Sequence, residues 1–219
     1  NVFHDMKYPA TFLNTLIATV IGTLGIIVIA SMGGYKMARV KTRYSRFCFL
    51  FCIAPMMIPF QSFMLTLVNV ATTLHINGKI WGLAIIYWGL GAPMSIFLYQ
   101  GFAKGIPLEL EESALIDGCN QFQLFTRIIF PMLKSCTATV TIINVMWIWN
   151  DFLLPYLVLD LNKYKTISIA IQYMKGSYGR VDMGAVMAAL ILAVIPVIIF
   201  YLSCQKHIIK GVAAGAVKG

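Results

Sequence analysis

The chain has 219 residues, of which 59% are hydrophobic and only 11% charged. A soluble domain of this size carries about 25% charged residues, so the composition excludes an ordinary water-soluble domain and defines a membrane protein. The net charge of +9 would suit a nucleic-acid partner in a soluble chain, but here it reads as charge that orients spans in a bilayer.

A bilayer core about 30 Å thick needs about 20 apolar residues per helix. Five stretches meet that demand, residues 12–35, 47–70, 81–102, 128–154 and 183–204. The expected fold is all-α, a single polytopic transmembrane domain over residues 1–219. Asn1 to Pro9 reads as an external loop, and because the chain begins at Asn1 rather than Met, a processed or truncated start is expected. The second span contains Pro55 and Pro59, which should kink or locally unwind it. The fourth carries Lys134 near one end, where its ammonium can snorkel to the interface, and Asp151 near the other. After the fifth span comes a tail, residues 205–219, rich in small residues. Its plain reading is a disordered overhang.

Between the third and fourth spans the composition changes. Glu109 to Pro131 holds four of the chain's eight carboxylates, Glu109, Glu111, Glu112 and Asp117, so this stretch cannot sit in lipid. Pro107 presets a first helical turn, and the glutamates that follow complement the positive end of a helix dipole. Gly118 is a C-terminal stop and Asn120 a cap for a second helix, along which Phe122, Phe125, Ile128 and Ile129 recur at helical spacing. The expected product is a helix-turn-helix elbow on the membrane surface, with a loop over residues 107–127.

Lys and Arg set the orientation. Lys36, Arg39, Lys41, Arg43 and Arg46 follow the first span, Lys104, Arg127 and Lys134 flank the elbow, and Lys206, Lys210 and Lys218 lie in the tail. These eleven of the seventeen cations share one side, which is therefore cytoplasmic, as is the C-terminus. Five spans then leave Asn1 outside, and a sixth, N-terminal helix preceding this sequence is expected. The cysteines, Cys48, Cys52, Cys119, Cys136 and Cys204, are odd in number and lie mostly in apolar runs or on that side, so a disulfide framework is not expected. Cys48 and Cys52 share a helix face but have no His or acid beside them, and His4, His75 and His207 are scattered, so no metal site is expected.

The elbow carries a recognisable spacing. Glu112-Ser113-Ala114, then Gly118, then Ile128, Phe130 and Pro131 fit the pattern Glu-Ala-Ala, three residues, Gly, nine residues, Ile, one residue, Leu-Pro, with Ser113 for Ala and Phe130 for Leu. The chain thus resembles permease subunits of bacterial ABC importers. Phe12-Leu13-Asn14-Thr15-Leu16, Ala38-Arg39, Ile106-Pro107-Leu108-Glu109-Leu110, Trp149-Asn150-Asp151-Phe152 and Gly215-Ala216-Val217-Lys218-Gly219 extend the likeness to the carbohydrate branch, in particular to the second permease subunit of maltose-type systems.

That resemblance implies a type I importer architecture and a function, ATP-driven import of an oligosaccharide or disaccharide across the bacterial cytoplasmic membrane. It implies four kinds of partner: a second homologous permease subunit, two ATP-binding subunits, an extracytoplasmic sugar-binding protein and the bilayer, with no nucleic acid. It also implies that Glu112, Ser113, Ala114, Asp117, Gly118, Phe122, Phe125, Ile128 and Pro131 couple the chain to the ATPases. In the physical reading of the elbow, Glu112 pairs with a partner arginine, Ala114 allows close approach and the phenylalanines fill apolar pockets. The tail residues Gly215, Ala216, Val217, Lys218 and Gly219 are implied as a second ATPase contact. Tyr164, Lys165, Tyr173 and Tyr178, in the external loop 162–180, would meet the binding protein, or else form a solvated loop with interfacial tyrosines. Trp147, Asn150 and Asp151 would line a sugar path, or else anchor and cap a helix end. Asn14, Gln61, Asn69, Gln100 and Asn144 are explained by hydrogen bonds between helices.

No cofactor is expected on the chain itself, and ATP and Mg belong to the partner ATPases. No Gly-x-x-x-x-Gly-Lys loop, Gly-x-Ser-x-Gly elbow, His-Glu-x-x-His helix or intramembrane carboxylate pair occurs, so the chain is not expected to be an enzyme. The alternatives are a self-sufficient secondary transporter or channel, for which Pro55 and Pro59 would mark a broken helix, an intramembrane enzyme, and an ABC importer for a polyol or glycerophosphate.

Overall fold

The computed structural model describes residues 2–173 and 183–216, with side chains up to Cys204. After a turn of helix at Val2–Asp5 come α1 (Tyr8–Arg39), α2 (Arg43–Ile53), α3 (Phe60–Thr73), α4 (Ile80–Lys104), α5 (Leu108–Ile116), α6 (Gln121–Met132), α7 (Lys134–Asn150), α8 (Leu153–Val158), α9 (Ile167–Gln172) and α10 (Met183–Ala216). Among the described residues there is no strand, only an isolated bridge between Gly78 and Leu159.

Three helices are long and apolar enough to cross a bilayer, α1, α4 and the Met183–Cys204 part of α10, and five segments qualify if each interrupted pair counts as one span. The first interruption lies where the prolines require it. α2 gives way to a 3-10 turn at Ala54–Met57 with Pro55 in its first turn, and α3 resumes only after Pro59. A proline lacks the amide that would continue the ladder and crowds the carbonyl four residues back.

The second interruption separates α6 from α7, whose axes differ by 74°. The fourth apolar stretch was expected from Ile128, but its straight helix begins at Lys134, and residues 128–132 belong to α6. Pro131 explains this. With no N–H to donate, it shifts the preceding turn into π register, so that Phe130 N donates to Phe125 O and Leu124–Ile129 winds as a π-helix. Leu133 N then reaches both Ile129 O and Phe130 O, and α7 starts afresh.

The chain folds into two compact units. The first comprises Asn1–Thr23, Phe60–Tyr87 and Ile143–Cys204; the second comprises Leu24–Pro59, Trp88–Ile142 and the tail from Gln205. The core of the first is a cluster of Met6, Trp149, Ile167, Ala170 and Ala189, with Tyr8 and Phe12 packed on it. The second packs α1 on α4 through small residues. At Gly34 an added Cβ would lie 2.7 Å from Tyr99 Cβ and 2.9 Å from Gln100 N. The backbones approach this closely because glycine presents nothing between them, which is how apolar helices associate where lipid gives them no hydrophobic drive. Tyr99, fully buried, donates its hydroxyl to Thr137 Oγ1 of α7 at 2.9 Å.

Candidate functional site

The elbow lies wholly in the second unit and is built from local signals that agree with one another. Pro107, in extended conformation, stands at the N-cap of α5 rather than inside its first turn, and Glu109 and Glu111 sit near the positive helix end. At the other end the chain reverses through Gly118, whose φ is +86°. Gly118 N donates to Leu115 O at 3.1 Å and Cys119 N to Ala114 O at 3.0 Å. This is the paired 5→2 and 6→1 closure that requires a left-handed residue. Two residues on, Asn120 and Gln123 cap α6 reciprocally: Gln123 N donates to Asn120 Oδ1 at 2.9 Å, and Asn120 N to Gln123 Oε1 at 3.0 Å. Both helix ends at the reversal are thus satisfied within the chain, and the elbow needs no partner to hold its shape.

Its two faces differ. On the inner face, Ala114, Leu124 and Ile129 are buried, and Tyr35 of α1 packs on Phe125, ring centroids 5.6 Å apart, with Phe130 following at 6.0 Å. Glu111, only 8% exposed, reaches α1. Arg39 Nε donates to Glu111 Oε1 at 2.5 Å and Tyr35 Oη donates to Oε2 at 2.8 Å. The Arg39 Nη2 group also donates to Ile106 O at 2.9 Å, and the guanidinium lies 5.8 Å from the Tyr35 ring centre.

The outer face carries Glu109, Glu112, Ser113, Asp117 and Gly118, all exposed, around two apolar side chains that nothing covers, Ile116 at 85% and Phe122 at 71% exposure. Of the expected coupling residues, Glu112, Ser113, Asp117, Gly118, Phe122 and Pro131 therefore share exposure, Phe125 and Ile128 are half-buried, and Ala114 is turned inward. Ile116 is the residue that the motif reading passed over, although an isoleucine beside Asp117 at the tip of a polar elbow was a visible signal. Tyr35 and Arg39 gave less warning, because Arg39 stood among five cations that orientation alone explained.

The other expected sites lie in the first unit. Asp151 accepts from Tyr87 Oη at 2.9 Å and, through Oδ1, from Leu153 N at 3.1 Å, so its carboxylate caps α8. Trp147 meets the Tyr87 ring edge-on at 5.3 Å, and Asn150 turns back to Met146 O at 2.7 Å. The neighbouring Trp149 is buried and donates to Ala193 O of α10 at 3.3 Å. The loop after Leu159, as far as Tyr173, is tied to α1 and partly buried, with Asn162, Lys163 and Tyr173 exposed. Asn14 Nδ2 donates to Lys165 O at 3.0 Å, Thr15 Oγ1 accepts from Ile167 N at 2.9 Å, and Ile167, Ile169 and Ala170 are buried. The Lys165 ammonium sits 4.5 Å from the centre of the exposed Tyr173 ring. Tyr178, and the side chains of Gly215 to Gly219, lie outside the described residues. Among those described, no three His, Cys, Asp or Glu side chains come together as metal ligands.

A helical chain with this elbow between two apolar segments defines a membrane-embedded transport subunit, and comparison with known proteins agrees. Residues 25–214 match the family of binding-protein-dependent transport system inner membrane components, and the chain belongs to that family. It is 41% identical to the probable starch degradation products transport system permease protein AmyC of Thermoanaerobacterium thermosulfurigenes over 98% of this chain and 77% of that one. It is 34% identical to the melibiose/raffinose/stachyose import permease protein MelC of Bacillus subtilis over 95% of this chain and 76% of the other. Its fold matches the crystal structure of a bacterial ABC transporter involved in the import of the acidic polysaccharide alginate, with a TM-score of 0.80 at 21% identity over 94% of this chain and 76% of that chain. The protein is thus an inner-membrane permease component of an ABC importer that depends on a binding protein and an ATPase; it is a transport subunit and not itself a catalyst.

Proposed function

We propose that this chain forms half of the translocation pore of a sugar importer and that the outer face of α5 and α6 docks on an ATP-binding subunit. The observation that carries the docking reading is the pairing of an elbow capped on both sides of its reversal with uncovered Ile116 and Phe122 beside Glu112. A rigid lever transmits a partner's displacement, whereas a flexible loop absorbs it. Apolar side chains of this size fill pockets, and Glu112 supplies a charge-assisted partner for an arginine. In this reading Ser113, Asp117, Gly118, Phe125, Ile128 and Pro131 shape the contact, and Ala114 supports it from within. The full assembly is this chain, a second homologous permease, two ATPases that bind ATP and Mg, and an extracytoplasmic binding protein, with the C-terminus of this chain in the cytoplasm. The tail, Gly215 to Gly219, adds a second contact with the ATPases.

Sugar as cargo is supported by the relatives named for starch degradation products and for melibiose, raffinose and stachyose. An oligosaccharide or disaccharide is the leading class, with polyols and glycerophosphates as the runner-up. Tyr164, Lys165 and Tyr173 offer an aromatic and basic rim for the binding protein. Trp147 and Asn150 remain candidates for the path, with Asp151 committed to its cap.

The test is a cysteine at exposed Ser113, introduced in a background without native cysteines, in membranes containing the ATPase. A crosslink whose yield changes when ATP is added is the expected result. Absence of any crosslink, with the ATPase retained in the complex, overturns the docking reading.

A further inference from the structure

Glu111 and Glu112 are neighbours in sequence, but only Glu112 is available to a partner. Among the described residues the hydrogen bonds of the Glu111 carboxylate go to α1, to Arg39 at 2.5 Å and Tyr35 at 2.8 Å, donors four residues apart on one helical face. Arg39 spends a second donor on Ile106 O at 2.9 Å, in the three-residue connection between α4 and α5. The side chains of the pair are 14% and 11% exposed. An ion pair this buried adds little net stability, because desolvation offsets the attraction, but removing one partner strands the other charge. Its effect is geometric. Covalently, α5 is joined to α4 through Gly105, Ile106 and Pro107 and to α6 through the turn at Gly118; the cluster adds a fastening to the end of α1.

We infer that Tyr35, Arg39 and Glu111 form a positioning latch that delivers force applied to α5 to α1 as well as to α4. The inference rests on the docking role proposed for α5 and α6. Without the latch, α1 is left to the ring packing of Tyr35 on Phe125, and a push on α5 is taken up as rotation about its connections at Gly105 to Pro107 and at Gly118. With it, α5 cannot turn without carrying the end of α1, and the first span joins the switch between inward and outward states. Two states that share a fixed α1–α5 distance are what a rigid transmitting element must show.

The experiment uses the complete complex in proteoliposomes with its binding protein, and reads ATPase retention, ATP hydrolysis and substrate imported per ATP. Glu111→Gln and Arg39→Gln are expected to retain the ATPase while import per ATP falls about tenfold. Tyr35→Phe should give a smaller loss, and the exchanged pair Arg39→Glu with Glu111→Arg a partial recovery. A second readout is independent of transport. Spin labels at exposed Lys36 and at Leu110, an exposed α5 residue outside the proposed docking set, should report one distance with and without ATP in the native pair and a nucleotide-dependent distance in Glu111→Gln. An unchanged import-to-ATP ratio in Glu111→Gln, or a Lys36 to Leu110 distance that already changes with ATP in the native pair, overturns the latch. Loss of ATPase retention in Glu111→Gln overturns it too, since Glu111 would then be a docking residue. Failure of the docking reading itself is distinguishable, because substitutions at Ile116 and Phe122 would then leave retention and coupling untouched.

Discussion

Three glycines in this chain look alike in sequence and do different physical work. Gly34 lies where α1 meets the backbone of α4, and an added methyl would meet Gln100 N at 2.9 Å and Ile96 O at 3.0 Å. Backbone atoms cannot rotate away, so Gly34→Ala must part the helices. It is expected to cost about 1–3 kcal/mol, as overpacking does, measured by thermal unfolding of the detergent-solubilised chain. Gly101 has nothing within 4 Å, and Gly101→Ala should stabilise by up to about 1 kcal/mol through helix propensity. Gly118 is free of neighbours but has φ +86°, so its constraint is conformational. Gly118→Ala should cost about 1–2 kcal/mol, with Gly118→Asn milder because asparagine tolerates the left-handed region.

The elbow is the element where local sequence and local structure agree most closely. Glycine after α5 and an asparagine cap before α6 are read correctly from the chain, because each is satisfied by atoms within five residues, while Pro107 stands one position ahead of the first turn expected for it. The reciprocal bonds of Asn120 and Gln123 give a direct prediction. Asn120→Ala should weaken the start of α6 by about 1 kcal/mol, seen as faster amide hydrogen exchange over residues 121–126, with α7 unchanged. The π register before Pro131 was not foreseen. Its cause, a missing amide, was in plain view, yet the sequence does not say whether a helix will bend, break or widen to accommodate it. Just beyond α7 the same limit applies to Asp151, where an acid at the end of a span reads equally as a ligand or a cap until Leu153 N is seen beside it.

For the whole molecule, the eleven-to-six division of Lys and Arg predicts an orientation, and that prediction is open to a direct check. Lys163, with its side chain 74% exposed, should be labelled as a cysteine by an impermeant maleimide from outside intact cells. Ile116, replaced likewise, should label only after permeabilisation. The reverse pattern would place the elbow away from the ATPase and end the coupling reading. Truncating the chain before Ala214 should lower ATPase coupling more than membrane insertion, assayed as import per ATP alongside the amount of chain in the membrane; equal losses would return the tail to an overhang.

By itself, the sequence determined the membrane class, the five apolar stretches, the elbow with its caps, and the spacing that marks the family. All of these depend on hydropathy over about 20 residues or on hydrogen bonds between close neighbours. Only the tertiary structure decided which faces meet. α1 is apolar around most of its circumference, since lipid and protein neighbours ask for the same side chains, so hydropathy does not mark its buried side; the only trace in sequence is a four-residue recurrence of small hydroxyl residues, Thr11, Thr15, Thr19 and Thr23, all buried. The bonds of Glu111 to Arg39 and Tyr35 cross 72 and 76 residues, the loop bearing Lys165 is tied to Asn14 across 151, and Ala114 is turned inward where a partner contact was expected. Such pairings are set by how close two backbones come, a property of the packed helices and not of any one stretch of chain.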